Sequence, residues 1–200
     1  MYIPDLYRNE NQSEIEHFLH ENGFAILINQ TDEKLWGTHT PLFLEADKQI
    51  LSGHISRENP QAQSLQNDAE ILAIFTGPHT YISSSWYDHE NVPTWNYIAV
   101  HVYGKLRLLD YYETVASLKK LVDKYEKPQQ NPIRVENLSE KTMRQAHGIV
   151  AFEIEITDIQ AKKKLSQNRD NKNHQSIIDH LEKSEEANSK QIASEMRKNR

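Results

Sequence analysis

The length, composition and charge of the chain restrict what it can be. Its 200 residues suffice for one domain with a substantial core, and the absence of cysteine excludes disulfides, thiolate metal sites and cysteine nucleophiles. With 23 Lys and Arg against 29 Asp and Glu, the formal charge is −6, which does not favour a nucleic-acid-binding surface.

The N-terminal sequence MYIPDLYRNENQ has neither the basic leader nor the apolar core of a signal peptide. No apolar run approaches the roughly 20 residues that span a bilayer. We therefore expect a cytoplasmic protein with no membrane partner.

The first predicted element is a helix in which Ser13 is the N-cap and Glu16 completes a capping box, before Gly23 ends it. Alternating apolar residues then predict an antiparallel meander, with a turn at 31–34. Its strands are expected at 24–31, 35–46, 49–56 and 70–77, and a short helix at 60–67.

The second half of the chain continues this β-rich pattern. Strands are predicted at 95–109 and 148–159, and helices at 111–126, near 139–147 and around 175–183. Residues 1–183 are expected to form one mainly β domain with peripheral helices, a small closed or half-closed barrel, and residues 184–200 a charged C-terminal tail.

The segment GPHTYISSSWY (77–87) combines aromatic and hydroxyl side chains in an irregular stretch. Trp86 beside Ser83 and Ser85 suits a ligand with an aromatic and an anionic part. The same composition also suits a buried loop whose rings close the mouth of the barrel and whose serines bond to the backbone. This segment alone supports both interpretations.

The strand signal at 92–104 has two apolar faces. One is aliphatic, as expected for a barrel interior, and the other is aromatic: Trp95, Tyr97, His101 and Tyr103. Such a face typically meets a ligand, a covering helix or a subunit partner, and homodimerisation is the favoured interpretation.

The run KKKLSQNR (162–169) places cations beside amides. Lys164 and Arg169 offer charge to a phosphate, while Gln167 and Asn168 can bond a heterocycle. The alternative is a solvated basic turn before the last helix.

A hairpin of GTHTPLF and GHISREN would bring His39 and His54 to one side, with Arg57 near Thr38 and Thr40. This pattern indicates a phosphate or ring-edge site. A metal site is less favoured, because no carboxylate ligand set and no HExxH motif accompany the histidines. The sequence also lacks GxGxxG, P-loop, GxSxG and helix–turn–helix patterns, so no catalytic residue is predicted.

Together, MYIP, GTHTP, GHISRENP, GPHTYISSSWY, VPTWNYIAVHVYG and KKKLSQNR resemble the PaiB family of FMN-binding negative transcriptional regulators. The resemblance implies an FMN-binding split barrel, a six-stranded antiparallel Greek-key barrel. It further implies a homodimer, a flavin site near its interface, and repression of degradative-enzyme production and sporulation. The family usually has proline where Ser84 stands and often an aromatic at Ala62 and Lys163, so weaker flavin binding is expected.

On this resemblance, the FMN phosphate is expected against Arg57 and the lysines of 162–164, and the ring near Trp86, Trp95 and 167–169. The acidic charge leaves open whether DNA is contacted directly or through another protein. The alternatives are a flavin-dependent oxidoreductase and a haem-binding protein with His39, His54 or His101 as axial ligand.

Overall fold

The computed structural model describes residues 1–31 and 33–199. Asp32 of the predicted turn and Arg200 at the end of the predicted tail lie outside the described residues. The strands are β1 Phe24–Thr31, β2 Lys34–Glu45, β3 Ile50–Ser56, β4 Glu70–Ile82, β5 Thr94–Leu108 and β6 Ile149–Lys164. The helices are α1 Gln12–Glu21, α2 Tyr111–Glu126, α3 Glu140–Met143, α4 Asn171–Lys183 and α5 Ala187–Lys198.

The strands close a barrel in the order β1-β2-β3-β6-β5-β4. β1, β2 and β3 form the expected antiparallel meander, with Leu27 opposite Thr38 and Leu42 opposite Gly53. β4 returns to pair antiparallel with the outer side of β1, which gives the Greek-key order 4-1-2-3. The predicted six-stranded Greek-key barrel is therefore confirmed.

The residues of the chain fall into two compact units, each with contacts mainly among its own residues. The terminal unit holds residues 1–15, 76–100 and 160–200, and the central unit holds residues 16–75 and 101–159. Strands β4, β5 and β6 contribute residues to both units.

The core of the central unit follows the alternation of its strands. Leu27, Leu42 and Leu51 point inward and are fully buried, as are Phe152 and Ile154 on the face of β6 predicted from its pattern. Helix α2 begins where predicted because Asp110 accepts a hydrogen bond from the Glu113 amide and the Glu113 side chain accepts one from the Asp110 amide.

Helices α4 and α5 contribute part of the core of the terminal unit. Ile177 and Leu181 of α4 and Ile192 and Met196 of α5 are buried. Within the predicted charged tail, Ala187–Lys198 form α5, in which Ile192 and Met196, four residues apart, give the otherwise polar helix one face that packs.

Other boundaries also differ from prediction. The N-cap of α1 is Asn11 and not Ser13, since the Asn11 side chain accepts from the Glu14 amide at 3.2 Å. β4 continues through 77–82, where irregular structure was expected, and β6 continues to Lys164, beyond its predicted end at 159. No helix in the described part of the chain is long and apolar enough to cross a membrane.

Candidate functional site

In the terminal unit, the first residues of β5 lie beside the last residues of β6. The Lys164 ammonium donates a hydrogen bond to the Thr94 hydroxyl, and the Asn96 amide donates to the Ser166 hydroxyl at 3.0 Å. These contacts bring the predicted residue Lys164 next to the strand that carries Trp95.

Three cations gather at this point, and Lys162, Lys164 and Arg169 are here called the cation cluster. Burial, followed by the charges of Lys162 and Arg169, lowers the pKa of Lys164. Lys162 is only 7% exposed and donates to the Tyr2 carbonyl at 3.2 Å. Neither lysine forms an ion pair with any carboxylate among residues 1–31 and 33–199. The cluster is therefore a concentration of positive charge held partly out of water.

Aromatic rings surround the cation cluster. The Lys162 ammonium lies 5.1 Å from the centre of the Tyr97 ring, and the Arg169 guanidinium lies 4.9 Å from that of Tyr87. The Tyr87 hydroxyl is buried and has no hydrogen-bond partner among the described residues. A ligand at the cluster could satisfy it.

Gln167 has a structural role that the sequence did not suggest. Its side-chain oxygen accepts from the Leu165 amide at 2.7 Å, and its side-chain nitrogen donates to the Lys163 carbonyl at 2.6 Å. These bonds hold the turn in which Ser166 has a left-handed φ of 60°. Both polar atoms of the Gln167 side chain thus bond to the backbone of the turn, whereas Asn168 is exposed.

Trp95 borders an apolar cavity of about 300 Å³. Trp95 is 52% exposed, and its ring lies 6.0 Å from that of Tyr81 and 6.3 Å from that of His79, measured between ring centres. The floor of the cavity is formed by neighbours on β4 and β5, including Tyr97 and Ala99. This arrangement provides a flat apolar surface that a planar ring could contact.

The segment after β4 attaches to α4. The Ser83 hydroxyl accepts from the Ser85 amide at 3.2 Å and lies 2.8 Å from the Ser85 hydroxyl, which caps a short helical turn. The Trp86 ring stacks on the His180 ring with their centres 5.0 Å apart. The Trp86 main-chain carbonyl accepts a hydrogen bond from the Ser176 hydroxyl at 2.8 Å. Here the structural interpretation of the serines has direct contacts to support it.

The other predicted residues, Thr38, His39, His54 and Arg57, belong to the central unit, where the side chains of Thr38 and Arg57 bond to groups of the protein. The Thr38 hydroxyl accepts from Asn59 at 2.8 Å, and Thr40 donates to the His54 carbonyl at 2.6 Å. Arg57 donates instead to two main-chain carbonyls, those of His147 and Ile149, each at 2.9 Å.

The two histidines of the hairpin also have different surroundings. His39 is exposed and stacks on Phe24 with ring centres 6.0 Å apart. His54 is half-buried and lines a separate cavity that does not include His39. Within the described residues, no group of three His, Asp or Glu side chains is placed to hold a metal ion.

Sequence reasoning included Lys162 among the lysines of 162–164 but missed Thr94 and Tyr87 as neighbours of the cation cluster. Alternation along β6 places Lys162 and Lys164 together, because residues 162 and 164 share one face of a strand that was predicted to end at 159. Thr94 carried no signal, since only the pairing of distant segments brings it to Lys164.

Comparison with known proteins agrees with this architecture. A family model described as "Putative FMN-binding domain" matches residues 1–158. The chain is 42% identical over 196 residues to "Protease synthase and sporulation protein PAI 2" of Bacillus subtilis (strain 168), covering 96% of this chain and 95% of that protein.

Two solved structures share the fold at low sequence identity. The FAD and haem binding protein from Mycobacterium smegmatis has a TM-score of 0.63 and 14% identity, covering 79% of this chain and 73% of that one. The flavocytochrome Anf3 from Azotobacter vinelandii has a TM-score of 0.61 and 16% identity, covering 78% and 69%.

The strand order and these neighbours define a protein of the split-barrel class. With the family match and the extensive identity to the Bacillus protein, the chain belongs to the PaiB family. The resemblance inferred from the sequence motifs is confirmed.

Proposed function

We propose that this protein binds flavin mononucleotide in its terminal unit, with the phosphate at the cation cluster. The observation that carries the proposal is that Lys162 is buried and Lys164 half-buried, and that neither has a carboxylate partner in the described chain. Buried ammonium groups are costly unless paired, so an anionic ligand is the partner that their arrangement favours. A phosphate accepts several charge-assisted hydrogen bonds at once.

The aromatic residues fit the other half of the cofactor. The exposed ring of Trp95 and its apolar cavity offer contact area to a flavin ring, and the unpartnered Tyr87 hydroxyl offers a hydrogen bond. In this proposal the protein binds and orients the cofactor, and a bound flavin supplies electron-transfer chemistry. The family description supports FMN as the flavin.

The exposed aromatic patch of His79, Tyr81 and Trp95 supports a homodimer interface. A contiguous apolar patch of this kind commonly marks a subunit contact. We further propose that the FMN-bound homodimer acts in the cytoplasm as a negative regulator of degradative-enzyme production and sporulation, on the strength of the PaiB family. The formal charge of −6 favours an indirect contact with DNA, through another protein.

The test is the visible spectrum of the full chain after gel filtration with FMN. A two-band flavin spectrum that elutes with a dimer supports the proposal, and Lys164→Gln should weaken FMN binding by about ten- to a hundredfold. The matched control is Lys190→Gln, an exposed lysine of α5, which should bind FMN normally. A colourless protein that leaves FMN free would overturn the proposal.

Three further outcomes would change this assignment. If Arg57→Ala releases FMN and Lys164→Gln does not, the phosphate lies at Arg57, which the sequence resemblance implied together with the lysines of 162–164. Steady turnover of NADH or NADPH by the flavin-loaded protein indicates an oxidoreductase. A Soret band indicates haem, for which His101, with a buried Nδ1 that has no partner in the described residues, is the first ligand to replace.

A further inference from the structure

The central unit contains a cavity of about 280 Å³ between α2, the segment 135–149 and His54 of β3. Its walls are mainly aliphatic: Leu118, Val122, Val135, Leu138, Met143 and Ile149. A closed cavity of about 150 Å³ can hold benzene, so this one has room for a larger molecule.

His54 is the polar group of this cavity that the fold leaves unused. Its carbonyl accepts from Thr40, but its ring nitrogens have no hydrogen-bond partner among the described residues. Burial lowers the pKa of His54 and so favours the neutral ring, which offers one donor and one acceptor. A polar ring among aliphatic side chains gains from a ligand that bonds to it.

The charge of the cavity is as informative as its shape. None of the described residues that line it is Lys, Arg, Asp or Glu; the remaining polar ones are Thr142 and Gln145. A phosphate or carboxylate would find no counter-charge here, so a charged ligand would be poorly solvated.

We propose that this cavity binds a small, uncharged, largely apolar molecule with one hydrogen-bonding group, and that His54 bonds to that group. The site is distinct from the cation cluster and does not depend on flavin binding.

The test uses indole, which is apolar, uncharged and carries one N–H group, added to the full chain. Binding is followed by calorimetry and by NMR of the Met143 methyl and the His54 ring. We expect saturable shifts at both residues, and binding weakened about five- to tenfold by His54→Phe. The matched control is His39→Phe, which changes an exposed histidine of the neighbouring strand and should leave binding unchanged. Indole-3-acetate, which has the same ring with a carboxylate, should bind far more weakly.

A second test fills the cavity with a larger side chain. Ala146→Phe should abolish the indole shifts. If this variant fails to fold, the same test uses Thr142→Trp, a substitution at an exposed residue that also lines the cavity. Indole binding that survives a folded cavity-filled variant, or shifts that do not saturate, would overturn the proposal. A change of oligomeric state in Thr142→Trp without loss of indole binding would likewise overturn it, and would show that a second copy covers this surface.

Discussion

Asn96 and Ser166 exchange two side-chain hydrogen bonds: the Asn96 Nδ2 donates to the serine hydroxyl at 3.0 Å, and the hydroxyl donates to the Asn96 Oδ1 at 3.1 Å. Both side chains are buried. The pair joins β5 to the turn that follows β6, and thereby holds Lys164 and Arg169 on either side of that turn.

Replacing Asn96 should loosen this junction. Asn96→Ala leaves a buried serine hydroxyl without its partner, and we expect the free energy of unfolding to fall by about 2 kcal/mol. Denaturation by urea measures the change. Asn168→Ala, at an exposed position of the same turn, should stay within about 0.5 kcal/mol of the wild type. Equal effects of the two substitutions would contradict the role assigned to Asn96.

The cation cluster makes a prediction about titration. Since the charge of Lys162 lowers the pKa of Lys164, Lys162→Met should raise it. The pKa of Lys164 can be followed through its ε-carbon by NMR in ligand-free protein. Lys190→Met, which removes a charge from α5, should leave that titration unchanged. A pKa of Lys164 that is the same in Lys162→Met and wild type would show that the two ammonium groups do not interact.

A third prediction concerns acid stability. Hydrogen bonds from Lys172, and then from His89 and Asn173, hold the pKa of Asp88 well below its ordinary value. A depressed folded-state pKa means that the stabilisation is complete above the unfolded-state pKa, about 3.9, and is lost as the pH falls through the folded-state value. The difference in unfolding free energy between wild type and Asp88→Asn should therefore be steady near pH 5 and shrink below about pH 4.

Lys172→Met provides an independent check on Asp88. Removal of the first of its hydrogen-bond donors should raise the pKa of Asp88 toward the ordinary range, as measured by NMR of the side-chain carboxyl carbon. If the titration of Asp88 does not move, the contact with Lys172 is not formed in solution.

Periodicity predicted the parts of the fold in which local sequence and burial agree. β1 and α2 have the predicted bounds because apolar residues recur at two and at three to four positions, and because Asp110 caps the helix. The prediction of irregular structure at 77–82 was wrong, because Gly77-Pro78 usually signals a turn but lies within strand β4 here.

The candidate site was less predictable because its contacts join distant residues. Arg57 is bonded to carbonyls 90 and 92 positions away, and nothing in its own motif indicates them. The Gln167 side chain has the donor and the acceptor that a heterocyclic ligand needs, but in the structure both bond to the backbone of its own turn. Composition can indicate what a segment is able to bind, whereas pairing between segments decides which groups stay available.

A fourth prediction uses two glycines of the central unit. A β-carbon at Gly104 would lie 2.5 Å from the Ile154 side chain and against the Glu155 main chain, whereas one at Gly148 would meet nothing within 4 Å. Gly104→Ala should lower the free energy of unfolding by about 3 kcal/mol, since neither neighbour can move freely. Gly148→Ala should change stability little. Thermal denaturation of the pair distinguishes overpacking from a general cost of replacing glycine.

The terminal unit combines three segments that are far apart in the sequence, and this restricts the order in which they can fold during synthesis. Residues near the N-terminus bond to the end of β6: the Asn9 amide donates to the Ala161 carbonyl at 3.1 Å, and Tyr2 accepts from Lys162. These two bonds therefore form only after the chain has been made through Lys162. The central unit ends at residue 159, so a nascent chain stopped before Gln160 would carry Tyr2 and Asn9 without these bonds, for chaperones and proteases to recognise.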